Sequence, residues 1–497
     1  MDVIPPLRDD VRLEVLPGGG HALFDGLLGR RVKLDAAGAR IVTALADGAD
    51  RTDTIAAATG IEPAAIDKLL SGLARLMLLA TPEALDRVAV ERVARAPADV
   101  VPIRVRDDAR FTCTMCGGCC GGHMIGPVSD EVLAGLDTEW PALERETGSK
   151  KGLFFTLPSG DAAEVGRHVV CHASNGSCVF LTDDRKCLIH KRFGGDKKPV
   201  PCRIFPYEMV ATPTGVVVTI QRECRGFLEA RGGKRLADDL PDIRALLALV
   251  PARARVGTPR RRDGTPLAWA DYEALEAELH TTVDDSAGDD RVVFAALGRG
   301  LGVGGVAADA ASLRGDLASL RSGLDAWTGG FLEVLDLIAA EVPPPDERVL
   351  VRADGLDLLR RALRGLRADM RRVMLPLDRA DQRALLRDHL HHALMGKQLV
   401  NAPSLEAGLA RLAAQWALAK ALAVIRAREV KRRHLVAQDL MDGLVVVSFM
   451  FRHADLAGVI QRLDGATTSL FLDRHAALVA LAPELADPDE RVELVKF

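Results

Sequence analysis

The stretch Phe111-Thr112-Cys113-Thr114-Met115-Cys116-Gly117-Gly118-Cys119-Cys120 carries four of the nine cysteines of the chain. Two residues between successive cysteines let a tight turn present both sulfurs to one centre. Gly117 and Gly118 let the backbone approach closely and leave N–H groups free to bond sulfur. Because neighbouring side chains diverge in most backbone conformations, Cys119 and Cys120 either serve different metals or only one of them is a ligand. The stretch predicts a metal-binding loop.

A second set of cysteines follows downstream. Residues 178–187 begin and end with cysteine, and Asp183-Asp184 predicts a hairpin turn that returns the second thiol towards the first. A loop rich in glycine and proline precedes Cys202, and Cys224 is a candidate to close the set. The predicted metal ligands are the eight thiols of Cys113, Cys116, Cys119, Cys120, Cys178, Cys187, Cys202 and Cys224.

These thiols allow more than one kind of metal centre. Eight thiols suit two four-thiolate sites, and sulfur-only ligation is common to zinc and to iron–sulfur clusters. One cluster with fewer ligands is also compatible with the spacing. Dense sulfur ligation favours an iron–sulfur cluster by a small margin, although the ferredoxin run and the CxxxCxxC spacing are absent. The roles of Cys171, His172 and His190 stay open, and Arg203 either offsets thiolate charge or forms a surface salt bridge.

Composition limits the class of protein. The chain has 497 residues, which predicts two to four domains, and an aromatic content of 4% leaves packing to Leu, Ala and Val, which favours helices. A net charge of −4 argues against a dedicated nucleic-acid binder. The first residues lack a signal peptide and no stretch reaches about 20 apolar residues, so we expect a soluble cytoplasmic protein with no membrane partner. In a reducing compartment, clustered thiols indicate metal ligands first.

The domain pattern predicts a mainly α protein with small β elements. Residues 10–85 contain three short β-prone pieces followed by three helical patterns, as in a winged-helix-like domain. Pro82, Pro97 and Pro102 mark a linker over 82–107, of which 86–107 lies beyond the N-terminal domain, and further prolines mark a second linker over about 248–266. Between them, 108–247 is predicted to be an irregular cysteine-cluster domain stapled by metal. Residues 270–497 are predicted to form an all-α C-terminal domain.

Some features of the C-terminal part are less specific. Apolar residues at helical spacing predict helices over 359–373 and 405–423. Val292-Val293-Phe294 before the glycines of 298–305 suggests a strand that feeds a cofactor loop, but the spacing is not GxGxxG and favours a flexible connection. His389 and His392 share a helix face at i, i+3, which allows metal binding, yet we expect both to face solvent.

The cysteine pattern resembles a known family. The CxxCxxCC run with Phe111, the loop over 178–187 and Cys202-Arg203 with Phe205-Pro206 are similar to the YkgJ-type cysteine-cluster family, a zinc- or iron-chelating domain. The resemblance implies a bound metal. Cys187-x-Ile189-His190, Gly194 and Cys202-Arg203-x-Phe205-Pro206 also resemble flagellin lysine methylases, whose helical C-terminal domain is loosely similar. The CxxCxxCC opening departs from the methylases, so their activity is not carried over.

The N-terminal segment resembles the PqqD-like peptide-binding domains. The matching residues are Gly18-Gly19, Gly29-Arg30-x-Val32-x-Leu34-Asp35, Asp47-Gly48 and Leu73-x-x-Leu76. This resemblance implies that a peptide or protein substrate pairs with an edge of the small sheet, whereas a winged helix used for packing is the alternative.

Two classes of function follow from these features. In the first, an iron–sulfur or zinc protein acts in peptide or protein modification, with a methylase-like reaction as one option, as an enzyme or an accessory subunit. In the second, a metal-stabilised protein binds a partner or senses redox state without turnover. The residues name no catalytic base or nucleophile, so enzymatic activity is left open.

Overall fold

The computed structural model describes residues 3–120, 125–126, 128–149, 152–156, 168–173, 177–226, 232–250, 253–286, 290–303, 380–431 and 436–452, with 329, 332–333, 364 and 467–468. These residues form helices and four small sheets, which confirms the predicted mainly α class with small β elements. They divide into two compact units. Unit 1 comprises 1–104, 210–217 and 251–274, and unit 2 comprises 105–209, 218–250 and 275–497.

Unit 1 begins with a three-stranded antiparallel meander. Its strands are β1 (Val11–Val15), β2 (His21–Asp25) and β3 (Arg30–Leu34), in the order β1-β2-β3. Leu23 of the central strand lies opposite Leu13 on one side and Val32 on the other. Gly18 and Gly19, in the turn between β1 and β2, have positive φ, a conformation that glycine adopts readily. The three predicted strands are confirmed.

Three helices cover this sheet, as the sequence predicts. They are α1 (Ala36–Ala46), α2 (Thr52–Thr59) and α3 (Pro63–Arg75). Asp35 caps α1, because its carboxylate accepts a hydrogen bond of 2.6 Å from the N–H of Gly38. The apolar faces of strands and helices form one core, which contains Leu23, Ile41, Val42, Leu45, Ile55, Ile66, Leu70 and Leu73.

A fourth helix, α4 (Pro82–Arg95), occupies much of the first predicted linker. Pro82 starts this helix rather than interrupting one, since proline fits the first helical turn and Thr81 caps it. α4 is tied to the second predicted linker within unit 1. The contacts are Asp86 with the backbone N–H of Trp269, Glu83 with Arg260, and Glu91 with Arg255. Both segments are therefore ordered parts of unit 1.

The elements between residues 103 and 255 are short. The strands are β4 (Ile103–Arg104), β5 (Arg110–Phe111), β6 (Phe154–Thr156), β7 (His168–Val170), β8 (Tyr207–Thr212), β9 (Gly215–Ile220), β10 (Lys234–Arg235) and β11 (Ala254–Arg255). The helices are α5 (Asp130–Ala134), α6 (Trp140–Thr147), α7 (Leu188–Phe193), α8 (Val200–Ile204) and α9 (Leu240–Leu247). The sheets pair β6 with β7, β10 with β5, and four strands in the order β11-β8-β9-β4.

Long helices follow in the C-terminal part. They are α10 (Trp269–Asp285), α11 (Asp290–Gly300), α12 (Ala380–Met395), α13 (Leu405–Glu429) and α14 (Ala437–Arg452). The apolar stripe predicted over 405–423 lies on α13, and its large side chains are buried. A Cβ on Gly443 of α14 would overlap the carbonyl oxygen of Ala419, so these two helices cross at close range.

Other expectations for this part have different outcomes. The stripe over 359–373 lies outside the described residues, apart from residue 364, as do the last glycines of 298–305. Val292, Val293 and Phe294 lie on α11, so the suggested strand is wrong. The low helix propensity of these β-branched and aromatic residues is overcome because Val293 and Phe294 are buried in the protein core. Within the described residues, no helix is both long and apolar enough to cross a membrane.

Candidate metal centre

The CxxCxxCC loop leaves β5 and packs against the hairpin that follows Cys178. β5 supplies Phe111, whose ring meets that of Tyr207 edge-on with 6.2 Å between centroids. Gly117 has φ +71°, and a Cβ there would lie 3.3 Å from the side chain of Leu181. The N–H of Gly118 points at the sulfur of Cys116 at 3.5 Å. Both glycines thus serve the loop geometry and the sulfur contact that the sequence predicts.

The second motif forms the predicted hairpin. Leu181 and Cys187 form an antiparallel bridge, and the N–H of Thr182 donates to the carbonyl of Lys186 at 2.9 Å. The turn itself includes Arg185, which has φ +59°. The two motifs meet where the N–H of Cys178 donates to the carbonyl of Cys120 at 2.5 Å. The backbone therefore brings the end of the CxxCxxCC loop to the start of the hairpin.

Five cysteines share one neighbourhood, which we term the thiol cluster: Cys119, Cys120, Cys178, Cys187 and Cys202. The sulfurs of Cys119 and Cys120 are 4.0 Å apart. Cys178 lies close enough to Cys202, Cys187 and Cys119 for their charges to act on its thiol. The charges of Cys187 and Cys119 likewise act on the thiol of Cys202. Three separate segments, the CxxCxxCC loop, the hairpin and α8, contribute these thiols.

Burial and mutual repulsion keep most of this cluster protonated. Burial raises the pKa of Cys178, and the charges of neighbouring cysteines raise it further. Burial likewise raises the pKa of Cys202 to about 12. Cys119 differs, because the S–H of Cys120 donates to it, which lowers the pKa of Cys119 and raises that of Cys120. A cation placed among these sulfurs would relieve the repulsion between thiolates.

One positive charge near the cluster was missed by the sequence analysis. Lys198 lowers the pKa of Cys119 and opposes the burial effect on Cys202. Lys198 directly precedes Pro199, which leads into the helix that carries Cys202. This closeness in sequence was the signal that could have identified it. Arg203, the residue that we had considered for this role, instead forms an ion pair of 3.2 Å with Asp196. The surface salt bridge was the correct alternative for Arg203.

Two other predicted ligands, Cys113 and Cys224, lie at the β5 end of the loop. Tyr207 packs on Phe111, and the charge of Cys113 contributes, after burial and two acidic residues, to a Tyr207 pKa of about 12. A Cβ on Gly226 would lie 3.5 Å from the sulfur of Cys224 and equally far from the carbonyl oxygen of Thr112. Cys113 and Cys224 thus both lie near Phe111 and Thr112, where the CxxCxxCC loop begins.

The three residues with open roles have distinct surroundings. Cys171 is fully buried in an apolar core with residues such as Leu143, Leu153 and Phe180. His172 is also buried and forms an antiparallel bridge with Cys178. His190 is exposed on α7, with its ring beside Gly195. Cys171 therefore shares its core with Cys178 of the thiol cluster, and its role stays open.

The donor atoms of the thiol cluster suit a metal ion, but their arrangement is not that of a formed metal site. None of the nine cysteines forms a disulfide, and a set of sulfur donors suits zinc or an iron–sulfur cluster. Across the described ranges, however, no three His, Cys, Asp or Glu side chains are arranged as the ligands of one ion. Thus the cluster fits a metal by donor type, and the assignment of eight ligands stays a prediction.

Three buried histidines lie on α12. His389, His391 and His392 are 0%, 3% and 8% exposed, so the expectation that His389 and His392 face solvent is wrong. The second half of α12 is buried nearly all round, including Leu390, Ala393 and Leu394, so helical spacing could not single out one inner face. His392 Nδ1 lies 2.6 Å from the hydroxyl of Thr219.

Comparisons with protein-family models, with characterised proteins and with solved structures gave no match to the chain. The resemblances carried by the cysteine motifs and by the N-terminal segment therefore stay predictions.

Proposed function

We propose that this chain is a metal-binding protein whose thiol cluster holds zinc or an iron–sulfur cluster. The observation that carries the proposal is the convergence of five cysteines from three segments that are distant in sequence. Buried, mutually repelling thiols without disulfide partners gain most from a bound cation, because metal ligation requires and stabilises their thiolate forms.

Four sulfurs would complete either type of centre. Cys178, Cys187 and Cys202 come from different turns, and either Cys119 or Cys120 would supply the fourth ligand. The metal would contribute folding energy to a region built from short elements, and an iron–sulfur cluster would also supply electron transfer. In this proposal Lys198 offsets part of the thiolate charge.

We further propose that the protein acts on a peptide or protein segment that unit 1 binds. The small sheet has the order β1-β2-β3, so β1 and β3 are its edges, and an extended peptide can pair with an edge strand through backbone hydrogen bonds. The resemblances to PqqD-like domains and to flagellin lysine methylases support a role in peptide or protein modification.

A redox-sensing role without turnover is the second candidate. It is favoured by the contact between the Cys119 and Cys120 sulfurs, in which one thiolate is stabilised by the neighbouring S–H. Low-pKa thiols are the ones that oxidants attack first. Loss of metal together with reversible oxidation of this pair, without any change to a bound peptide, would support the second role over the first.

Single substitutions test the thiol cluster. We expect Cys187→Ala to lose most of the bound metal and Cys116→Ala to retain it, as measured by mass spectrometry of metal per chain after purification without oxygen. Leu143→Ala is a matched control for damage to the fold, since this side chain is buried in the same core as Cys178 and carries no sulfur. Equal metal content in Cys187→Ala and the unaltered chain would contradict the proposed centre, whereas a partial loss in Cys116→Ala would favour two sites.

A further inference from the structure

One edge of the small sheet in unit 1 is open. Its outer strand β1 pairs with β2 on one side, and no strand within the described residues pairs with the other side. At the turn after β1, the N–H of Leu16 donates to the carbonyl of Gly20 at 2.6 Å. Bonds to the neighbouring strand recur at every second residue of an antiparallel strand, so Glu14 also bonds β2. The backbone N–H and C=O groups of Leu13 and Val15 therefore point to the open edge, and Val15 is 72% exposed.

The side chains of β1 differ between its two faces. Val11 and Leu13 pack with the apolar core of unit 1. Successive side chains of a strand point to opposite faces, which places Arg12 and Glu14 on the outer face. Arg12 is exposed and forms no ion pair within the described part of the chain. Glu14 bonds Arg31 of β3 through one carboxylate oxygen at 3.1 Å, so its other oxygen can accept a further bond. The outer face of β1 therefore carries one charge of each sign.

This pattern of charge is complementary to itself. When two copies of β1 pair antiparallel about a two-fold axis, residues from the same face lie opposite each other. A register centred on Leu13 sets Arg12 of each copy opposite Glu14 of the other, and Val11 opposite Val15. Opposite charges in such cross-strand pairs stabilise a sheet, whereas like charges destabilise it. Registers centred on Arg12 or on Glu14 would set each of these residues opposite its own copy, so the charges select the register centred on Leu13.

We propose that β1 pairs antiparallel with β1 of a second copy of this chain, in the register centred on Leu13, and joins the two small sheets in a two-fold symmetric dimer. Leu13 exchanges both backbone hydrogen bonds with its copy, and the N–H of Val15 donates to the carbonyl of Val11 of the second copy. The N–H of Val11 already donates to the carbonyl of Arg8 at 3.0 Å, so the new ladder ends there. The charged pairs occupy the non-hydrogen-bonded positions, where opposite Cα atoms are about 4.5 Å apart and side chains are closest.

The opposite edge of the sheet lacks this self-complementarity. On β3 the outer-face residues are Arg31 and Lys33, which lie opposite Phe24 and Ala22 of β2. A two-fold antiparallel pairing of β3 with its copy sets cation opposite cation, so charge disfavours a dimer through this edge. A dimer through β1 thus leaves β3 open for the peptide of the proposed function. The dimer itself requires neither that peptide nor the metal.

The size of the contact sets the strength that we expect. Two strands of five residues bury much less than the roughly 1,200–2,000 Å² of stable protein interfaces, so the dimer should be weak and depend on concentration. Sedimentation velocity of the full-length chain, from micromolar to near-millimolar concentration, measures the monomer and dimer fractions. A reducing agent in the buffer excludes dimers linked by disulfides. A chain that stays monomeric over the whole series would overturn the proposal.

Charge variants test the register. Glu14→Arg sets arginine opposite arginine at both symmetric positions and should weaken the dimer by about tenfold or more. The exchange of the two charges, Arg12→Glu with Glu14→Arg, restores opposite charges and should restore the dimer. Asp50→Arg, at an exposed position outside β1, makes the same change in net charge and should leave the dimer unchanged. A dimer that persists in Glu14→Arg, or a folded exchange variant that stays monomeric, would overturn the proposed register.

Hydrogen exchange of the unaltered chain locates the contact without any substitution. The amides of Leu13 and Val15 face the open edge in the monomer, so they should exchange rapidly in dilute protein and slowly at the concentration where the dimer forms. The amide of Glu14 bonds β2 and should be protected in both samples. A dimer in which Leu13 and Val15 still exchange rapidly would overturn the proposal. Slow exchange of both amides in a monomer would also overturn it, since another segment would then occupy the edge of β1.

Discussion

The meander-and-helix core of unit 1 and the cysteine region of unit 2 are built in different ways. In unit 1, strands of five residues and helices of eight to thirteen residues share one apolar core. In the cysteine region, the strands β5, β6 and β7 have two or three residues and α7 has six. Cysteines themselves pack in the core of that region. The buried members of the first core are all Leu, Ile or Val side chains, whereas those of the second include cysteine sulfurs.

Metal removal should produce the largest difference between these regions. After chelation without denaturant, we expect backbone amides over 177–202 to lose protection from hydrogen exchange, while those of β1–β3 keep it. The physical reason is the scale of structural metal binding, about 10–16 kcal/mol in small zinc peptides, against total domain stabilities of about 5–15 kcal/mol. Peptide-level exchange mass spectrometry measures both regions in one sample. Equal protection before and after chelation would remove the proposed dependence on metal.

A core substitution in unit 1 should have the opposite pattern. Leu23→Ala removes a fully buried side chain from the central strand and should cost about 2–5 kcal/mol in the free energy of unfolding. Metal content per chain should be unchanged, because the thiol cluster lies in unit 2. Urea denaturation followed by a unit 1 probe measures the loss. Leu76→Ala is the matched control, since Leu76 is 40% exposed and should change stability by less than about 1 kcal/mol.

Acid should destabilise unit 2 more than unit 1. Burial lowers the pKa of His392 to about 3, that of His280 to about 4, and that of His389 well below 6.5. Between pH 6.5 and these pKa values, the histidines are protonated in the unfolded chain but stay neutral in the folded chain. The free energy of unfolding is therefore highest above pH 6.5 and decreases as the pH falls. The slope reaches about 1.4 kcal/mol per pH unit for each histidine.

Unfolding curves at pH 7 and pH 5 measure this effect. Unit 1 contains a single histidine, His21, and therefore supplies the internal reference. The triple change of His280, His389 and His392 to Gln should flatten the pH dependence of unit 2. A dependence of unit 2 that is no steeper than that of unit 1 would show that these histidines take up protons while folded.

The smallest effect should come from the helix cap in unit 1. Asp35→Ala removes the carboxylate that accepts the N–H of Gly38, and should cost about 1 kcal/mol. Asp35→Asn retains an oxygen acceptor and should recover most of this loss. Thermal unfolding of the three proteins provides the ranking, and an Asn variant as unstable as the Ala variant would contradict the capping role.

The sequence predicted the meander-and-helix core of unit 1 well because its signals are local. Alternation in β1–β3, the Asp35 cap and the spacing of Ile66, Leu70 and Leu73 each specify an element within a few residues. The hairpin after Cys178 was predicted for the same reason. α4 was missed because Pro82 was taken as a breaker, although its place in the first turn is the one that helices accept.

The site was predicted in part, because side chains from distant segments meet only in the folded chain. Spacing identified all five members of the thiol cluster but did not separate them from Cys113 and Cys224. The role of Lys198 depends on the turn before α8. His389 and His392 were wrongly predicted to face solvent, because this part of the helix is buried on nearly all sides and has no polar face that would mark the solvent side.

The most direct test of the central claim is the metal and acid-labile sulfide content of the full-length protein, purified without oxygen, with its visible absorption spectrum. We predict about one metal centre per chain, which contains either iron with matching sulfide and a brown colour or zinc in colourless protein. Folded protein without metal, in which all nine cysteines react as free thiols after denaturation, would contradict the proposed thiolate centre.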